Sequence, residues 1–234
     1  MSSKRKRQEL ESYHEGNVAM LPIPPKKAAP FRPKTPSQKT LADKIQNNDI
    51  IFITGPAGTG KTYCVGMLAS EAFTNKDISQ IIATRPAVEA ANEKMGHLPG
   101  DIDEKFQPWF EPFQDVFERG LGTGPLKYAK EHNQIRPTPM AYMRGKSYDN
   151  TWIIMDEAQN STIEQMKMFL TRIGSGSKAI ILGDIKQSDI SGMSGLQDAV
   201  RRLRDIPRVA LHEFTKEDIV RHGLIRHILD RYEN

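Results

Sequence analysis

The sequence predicts an α/β fold: a three-layer αβα arrangement in which helices cover both faces of a parallel sheet of about five strands. Short apolar runs recur along the chain, and most of them end in polar residues, at 49–54, 78–86, 151–160, 178–187 and 208–214. Segments with helical spacing separate these runs, which is typical of strands joined by crossover helices. Because open parallel sheets bind ligands beyond the carboxyl ends of their strands, we expect the site at these polar ends.

The first apolar run leads directly into a glycine-rich turn, and a helical segment follows the turn, which reads Gly55-Pro56-Ala57-Gly58-Thr59-Gly60-Lys61-Thr62. This spacing lets the main-chain N–H groups of the turn surround a phosphate, assisted by the positive end of the helix dipole. Lys61 would reach the β- and γ-phosphates of a nucleotide, and the hydroxyl of Thr62 would bind Mg²⁺. We therefore predict a phosphate-binding loop (P-loop) at residues 55–62 that takes a nucleotide and Mg²⁺.

Two adjacent carboxylates, Asp156 and Glu157, end the third apolar run. Asp156 would hold Mg²⁺, and Glu157 would polarise the attacking water. The competing interpretation, that the two acids merely cap the next helix, is weaker because a P-loop precedes them in the same α/β pattern. Ser161 and Glu164 carry the capping signature for that helix. Gln187, at the end of the fourth run, is a candidate contact of the γ-phosphate or the attacking water.

Two further polar residues are candidates for ligand contacts. Gln38 lies shortly before the P-loop, and a glutamine amide can pair with the N6 and N7 edge of adenine. An ordinary position in an N-terminal helix is an equally open interpretation of Gln38. Arg85 follows the second apolar run, so we expect it at the ligand edge of the sheet.

Aromatic residues recur at helical spacing between positions 106 and 117. This pattern predicts an amphipathic helix inserted between strands. Its aromatic rings could stack on nucleic-acid bases. Spacing of three to four residues favours the alternative, that the rings belong to the core. A second amphipathic helix, at residues 217–225, is expected to close the domain.

The net charge of +4 comes from the first part of the chain. Residues 1–44 hold ten Lys and Arg against four Asp and Glu, whereas the remaining 190 residues hold 23 against 25. Residues 1–36 are also rich in proline and lack an apolar period, which predicts a basic, disordered arm before a single domain at 37–234. The arm could bind a phosphate backbone or act only as a solubilising tail.

Composition argues against several classes of protein. No apolar run approaches the roughly 18 residues that span a bilayer, and no apolar segment follows the basic N-terminus, so we expect a cytoplasmic protein without membrane contact. The single cysteine, Cys64, excludes internal disulfides and a cysteine-built metal site. The six histidines show no metal-ligand spacing.

Seven blocks of the sequence, taken in order, closely resemble the PhoH family of ATPases. The resemblance runs from about residue 33 to the C-terminus and rests on the blocks 55–62, 84–90, 96–101, 141–145, 156–160, 166–174 and 183–187. The family is similar to the first lobe of superfamily 1 helicases. The resemblance therefore implies a RecA-like P-loop NTPase core that uses ATP and Mg²⁺ and associates with single-stranded RNA or DNA.

The resemblance also implies roles for individual residues. Thr84, Arg85 and Pro86 correspond to a motif that contacts nucleic acid, and Arg144 belongs to a second candidate motif of this kind. Gln187 matches a glutamine that senses the γ-phosphate. Together these assignments predict a helicase-like, Mg²⁺-dependent ATPase that moves on, or remodels, single-stranded RNA or DNA. The alternative is a nucleotide-gated regulatory protein with little turnover, and the block at 183–187 disfavours a small-molecule kinase.

Helicases with two lobes close ATP between them and supply an arginine from the second lobe. The sequence accounts for one lobe, so we expect a head-to-tail homo-oligomer, a hexameric ring, in which the neighbouring subunit supplies this arginine. Arg221 is the first candidate for the trans arginine, with Arg172 and Arg144 behind it. Gly223 stands where such sequences usually have proline, which loosens the geometry assigned to Arg221.

Overall fold

A parallel sheet of six strands forms the centre of the computed structural model, which describes residues 28–86, 102–220 and 231. The strand order across the sheet is β3-β2-β4-β5-β1-β6. In chain order the strands are β1 (Ile50–Thr54), β2 (Gln80–Thr84), β3 (Ile135–Pro137), β4 (Thr151–Met155), β5 (Lys178–Gly183) and β6 (Val209–Glu213). All of their pairings are parallel, as the sequence predicted.

Six α-helices lie between or before these strands in the described part of the chain. They are α1 (Pro36–Asn47), α2 (Lys61–Thr74), α3 (Ile102–Leu121), α4 (Thr123–Glu131), α5 (Ile163–Leu170) and α6 (Gly195–Leu203). Short 3₁₀ helices occur at Met140–Met143, Ala158–Asn160 and Lys216–Asp218. The predicted αβα layering is confirmed, because two separate apolar cores lie on opposite faces of the sheet.

Side-chain alternation along β1 shows how the two cores form. Ile51 and Ile53 join the core beneath α1, α2, α3 and α4, whereas Phe52 joins the core beneath α5 and α6. All three side chains are at most 1% exposed. A strand that is buried on both faces reads as a continuous apolar run, which is why the sequence showed it so clearly.

The predicted aromatic helix is α3, and three of its aromatic residues belong to the core. Phe110, Phe113 and Phe117 are fully buried against α2 and the first face of the sheet. Their rings lie 6.0–6.3 Å apart between centroids, at the distances of favourable aromatic pairs. These three rings are therefore unavailable to stack on nucleic-acid bases.

Two expected helix boundaries need correction. The helix after Asp156 and Glu157 is capped by Thr162 and Gln165, which form a reciprocal capping box, and not by Ser161 and Glu164. The Ser161 hydroxyl instead donates to the Ala158 carbonyl at 2.7 Å. A one-residue shift is expected when consecutive residues can all cap.

The helix predicted at 217–225 is also different in its described part. Only the 3₁₀ turn Lys216–Asp218 is helical, and Ile219 is extended (φ −65°, ψ 116°). Residues 221–230 lie outside the described residues. The sheet gains a sixth strand, β3, which the sequence did not predict because a strand of three residues at a sheet edge gives no readable period.

The arm predicted at residues 1–36 is described from residue 28 onwards, and this part lies on the domain. The Ala29 N–H donates to the Arg119 carbonyl at 3.0 Å, and the Phe31 N–H donates to the Glu71 carboxylate at 2.5 Å. The Phe31 ring packs 6.1 Å from that of Tyr63. Residues 1–27, which include the basic cluster, lie outside the described residues.

Candidate functional site

The P-loop connects the carboxyl end of β1 to the first turn of α2. Gly60 caps α2 in the left-handed conformation (φ 88°, ψ 23°), and Gly55 and Gly58 also have positive φ values of 131° and 87°. Such a series of turns aims main-chain N–H groups toward one point and favours glycine. Gly55 is constrained a second time, because a Cβ atom there would lie 2.4 Å from the Phe214 carbonyl oxygen.

We predict that Gly55→Ala lowers the free energy of unfolding by about 2–3 kcal/mol, because the added methyl group must displace the backbone that follows β6. Urea denaturation of the ligand-free protein measures this loss. Gly145→Ala is the matched control, since Gly145 has φ 73° but no atom within 4 Å of the added Cβ. Equal losses in the two variants would show that backbone strain, and not crowding against Phe214, dominates.

The Lys61 side chain folds over the turn that precedes it. Its Nζ donates to the Gly55 carbonyl at 2.5 Å and to the Pro56 carbonyl at 3.0 Å. Burial lowers the pKa of Lys61 below its ordinary value, and the nearby carboxylates of Asp184, Asp156 and Glu157 oppose this shift. The ammonium group is therefore held by the loop, within the electrostatic influence of three acidic side chains.

Strand order explains why these three carboxylates reach Lys61. β5 lies between β4 and β1, so the carboxyl ends of these three strands are adjacent. Asp156 and Glu157 directly follow β4, and Asp184 directly follows β5. Of the three, Asp184 has the largest electrostatic effect on Lys61. Asp184 lies in the block 183–187, but no role for it could be predicted from the sequence.

Asp156 is an electrostatically strained carboxylate. Burial, reinforced by the adjacent charge of Glu157, raises the pKa of Asp156 from 3.8 to about 6, while Lys61 and Arg85 act in the opposite direction. The raised pKa means that the folded protein binds the proton more tightly than the unfolded chain does. The stability of the ligand-free protein therefore falls as pH rises from about 4 to about 6, and the loss persists at higher pH.

We predict that Asp156→Asn raises the melting temperature of the ligand-free protein by a few degrees at pH 7.5, because the neutral amide avoids this cost. The gain should shrink as the pH is lowered toward 4.5, where the wild-type carboxyl is protonated. Thermal unfolding at both pH values measures it. Asp43→Asn, at an exposed position on α1, is the control. A lower melting temperature for Asp156→Asn at pH 7.5 would contradict the assigned electrostatics.

Glu157 ends the alternation of β4 by adopting a left-handed conformation (φ 51°, ψ 38°). Such a conformation costs a residue with a side chain about 1–3 kcal/mol and occurs most often at functional sites. The backbone therefore turns directly after the strand. The exposed carboxylate of Glu157 accepts a hydrogen bond from Gln159 Nε2 at 2.6 Å.

Gln38 lies directly against the P-loop but its amide is occupied. The side chain is fully buried, with Nε2 donating to the Thr59 carbonyl at 3.0 Å and Oε1 accepting from the Lys34 N–H at 2.7 Å. A Cβ atom on Gly60 would lie 2.8 Å from Gln38 Nε2. Recognition of adenine by Gln38 stays a prediction and would require these main-chain bonds to be exchanged.

The residues that the sequence assigned to nucleic acid differ in exposure. Thr84 is fully buried at the end of β2, and Pro86 is also buried, so neither side chain lies on the surface. Arg85 is half-buried, and its charge acts on Asp156. Arg144 is exposed after the 3₁₀ helix, two residues beyond Tyr142, whose side chain is 50% exposed.

Of the arginines proposed to act in trans, Arg172 and Arg144 lie within the described residues. The guanidinium of Arg172 donates to the Met168 and Lys146 carbonyls at 3.1 and 2.9 Å and to the Thr171 hydroxyl, so it stabilises its own subunit. Arg221 lies outside the described residues. The residue before it, Val220, donates its N–H to the Gly58 carbonyl at 3.1 Å.

Gln187 lies in the exposed turn after β5, where its N–H donates to the Asp184 carbonyl at 3.0 Å.

In residues 28–86 and 102–220 no group of three or more His, Cys, Asp or Glu side chains is suited to a metal ion. A Thr62 hydroxyl and a single carboxylate, Asp156, nevertheless fit Mg²⁺, which takes few protein oxygens and completes its shell with water and phosphate. None of the described helices is both long and apolar enough to cross a bilayer.

The fold and the site define this part of the chain as a P-loop NTPase domain: a parallel αβα sheet with a glycine-rich loop after β1 and paired acids after β4. A solved structure of the same fold is the large terminase of a thermophilic bacteriophage, with a TM-score of 0.51 at 9% identity. That alignment covers 86% of this chain and 50% of the terminase.

The chain belongs to the PhoH family, whose family model, described as PhoH-like protein, matches residues 30–233. The PhoH-like protein of Bacillus subtilis strain 168 is 41% identical over 100% of this chain and 72% of its own length. The PhoH-like protein of Mycobacterium tuberculosis H37Rv is 44% identical over 92% of this chain. The matched region spans only 61% of that mycobacterial relative.

Proposed function

We propose that the protein is an Mg²⁺-dependent ATPase whose turnover is coupled to single-stranded RNA or DNA. The observation that carries this proposal is the arrangement at the ends of β1, β4 and β5. There, the charges of Asp156, Glu157 and Asp184 act on the half-buried ammonium of Lys61. The cation beside a glycine-rich turn suits the phosphates of a nucleotide, and the nearby acids suit the metal ion that those phosphates carry.

Each residue has a distinct role in this proposal. The N–H groups of the P-loop and the Lys61 ammonium bind the β- and γ-phosphates, and Lys61 exchanges its bonds with Gly55 and Pro56 for phosphate oxygens. Thr62 and Asp156 would hold Mg²⁺, which supplies positive charge to the phosphate oxygens. Glu157 orients the attacking water and accepts its proton. Gln187, in the turn after β5, reports on the γ-phosphate.

Nucleic acid is proposed to bind where cationic and aromatic side chains are exposed. Arg144 and Tyr142 offer a phosphate contact and a stacking ring within three residues of each other. Arg85 would connect the binding of nucleic acid to the ATP site, because the charge of Arg85 acts on Asp156. The burial of Thr84 and Pro86 limits these two residues to shaping the strand end that carries Arg85.

Phosphate release with and without single-stranded RNA, single-stranded DNA and duplexes tests this function. We expect turnover that needs Mg²⁺ and rises with a single strand, with a stimulation that declines as salt increases. Arg144→Ala should lose the stimulation while keeping basal turnover. Arg204→Ala, an exposed arginine at the end of α6, is the matched control. Tight ATP binding with little turnover and no response to any nucleic acid would support a nucleotide-gated regulatory protein instead.

We further propose that the protein acts as a head-to-tail ring, a hexamer, in which a neighbouring subunit supplies Arg221 to the ATP site. Glu157 is exposed at the carboxyl end of the sheet, where a second subunit could cover its side chain. Mass measurement with and without a non-hydrolysable ATP analogue tests the assembly. Mixing Lys61→Ala with Arg221→Ala subunits tests the trans arginine, since mixed rings should regain turnover. A protein that stays monomeric with the analogue would eliminate both ideas.

A further inference from the structure

Gln159 joins two parts of the site that are far apart in the sequence. Its side chain is 2% exposed. Nε2 donates to Glu157 Oε2 at 2.6 Å, and Oε1 accepts from the Asp184 N–H at 3.0 Å. A buried amide whose two ends have different partners is fixed in orientation, because exchanging N and O would break both bonds.

The end of β5 and the loop that follows it also confine Gln159. A Cβ atom at Gly183 would lie 2.8 Å from Gln159 Oε1, so glycine at this position lets the amide approach the strand end. The Ser188 hydroxyl also donates to the main-chain carbonyl of Gln159 at 3.0 Å. Gln159 is therefore confined in position as well as in orientation.

Asn160 repeats the connection one residue further along the chain. Its Nδ2 donates to Asp189 Oδ2 at 3.0 Å, and its Oδ1 accepts from the Asp189 N–H at 2.9 Å. Gln159 and Asn160 thus hold the loop 184–189, which carries Gln187, against the segment that begins with Glu157. The two segments are 25–29 residues apart in the sequence.

Glu157 needs such a constraint because its side chain is exposed and its backbone is in a left-handed turn. A free glutamate side chain samples several rotamers, and only some of them would aim a carboxylate oxygen at a water molecule beside the γ-phosphate. The bond from Gln159 fixes one oxygen, Oε2, and leaves the other oxygen available for the water.

We propose that Gln159 is a positioning residue for ATP hydrolysis: it holds the Glu157 carboxylate in its working orientation and links that orientation to the loop 184–189. This inference rests on the proposed ATPase function. It assigns a role to a residue whose amide is bonded to Glu157 and to the Asp184 N–H. The donor end of the amide acts on Glu157, and the acceptor end acts on Asp184.

Two substitutions separate the donor end from the acceptor end. Gln159→Leu removes both bonds, whereas Gln159→Glu keeps an acceptor for the Asp184 N–H but has no donor for Glu157 at pH 8. We expect both variants to lower kcat by about 10–100-fold, as is typical for a misplaced catalytic group, with little change in the KM for ATP. Gln165→Leu, which removes one capping bond on α5, should keep wild-type turnover.

A double-mutant cycle with Glu157→Gln provides the readout that a merely structural role would not give. If Gln159 acts through Glu157, then Gln159→Leu should have almost no further effect on kcat in the Glu157→Gln background. Equal losses in both backgrounds, or full turnover of Gln159→Glu, would overturn the inference. Absence of turnover in the wild-type protein would overturn the ATPase proposal itself, so the two failures are distinguishable.

Discussion

Lys61→Ala is expected to lower kcat/KM for ATP by about 10³-fold or more, because one preorganised charged donor to a transferring phosphoryl group is worth at least this much together with its part in binding. The charges of all three acids after β4 and β5 act on the Lys61 ammonium. Without this ammonium, the charges of Asp156, Glu157 and Asp184 would repel a triphosphate. Phosphate release at saturating Mg²⁺ and titration with a fluorescent ATP analogue measure the two parts of the loss.

The structure offers a close control for this substitution. Lys178, at the amino end of β5, is half-buried and has a lowered pKa through burial, and its Nζ donates to the Asn48 carbonyl at 2.5 Å. It resembles Lys61 in burial and in its main-chain bond but lies at the opposite edge of the sheet. Lys178→Ala should therefore destabilise the protein and leave turnover of the folded fraction intact. If both variants lost turnover equally, loss of the fold would explain the result and the assignment of Lys61 would fail.

Glu157→Gln is expected to lower kcat by about 10²–10⁴-fold while leaving ATP affinity nearly unchanged, because an amide cannot accept the proton of the attacking water. The substitution keeps the size of the side chain. It also removes the adjacent charge that raises the pKa of Asp156. Single-turnover phosphate release and equilibrium nucleotide binding separate the chemical step from affinity.

Glu213→Gln is the matched control for this prediction. Glu213 is an exposed glutamate at the carboxyl end of β6, and it pairs in register with Thr54 at the end of β1. It lies at the same edge of the sheet, but it does not follow β4 or β5. Turnover should be unchanged. A Glu157→Gln variant with wild-type kcat would assign the water to another group, and Asp184, the strongest electrostatic partner of Lys61, would be the next candidate.

Local features of the chain were predicted correctly because their causes are local. The P-loop depends on consecutive residues between a buried strand and a helix, so Gly55, Gly60 and Lys61 identify it without any knowledge of the fold. The end of β4 is similar, since an apolar run followed by Asp156 and Glu157 can be read directly. Aromatic spacing likewise placed the core face of α3.

Features that depend on strand order could not be predicted from the sequence. No local pattern in the sequence indicates that β5 lies between β4 and β1. This strand order is what brings Asp184 close to Lys61 and to Gln159. The burial of Thr84 similarly depends on segments distant in the sequence that cover the end of β2. The spacing of apolar residues predicts whether a side chain is buried or exposed, but it does not predict which distant residue the side chain contacts.

The sequence by itself determined the chemistry available at this site: a phosphate loop, a lysine, a hydroxyl and two adjacent acids, each specified within a few residues of chain. The tertiary structure alone decided how these groups act on one another, because the pairs Lys61 with Asp184 and Gln159 with Asp184 join residues that follow different strands. Electrostatic and hydrogen-bond effects depend on distance in space, and only the packed sheet sets that distance.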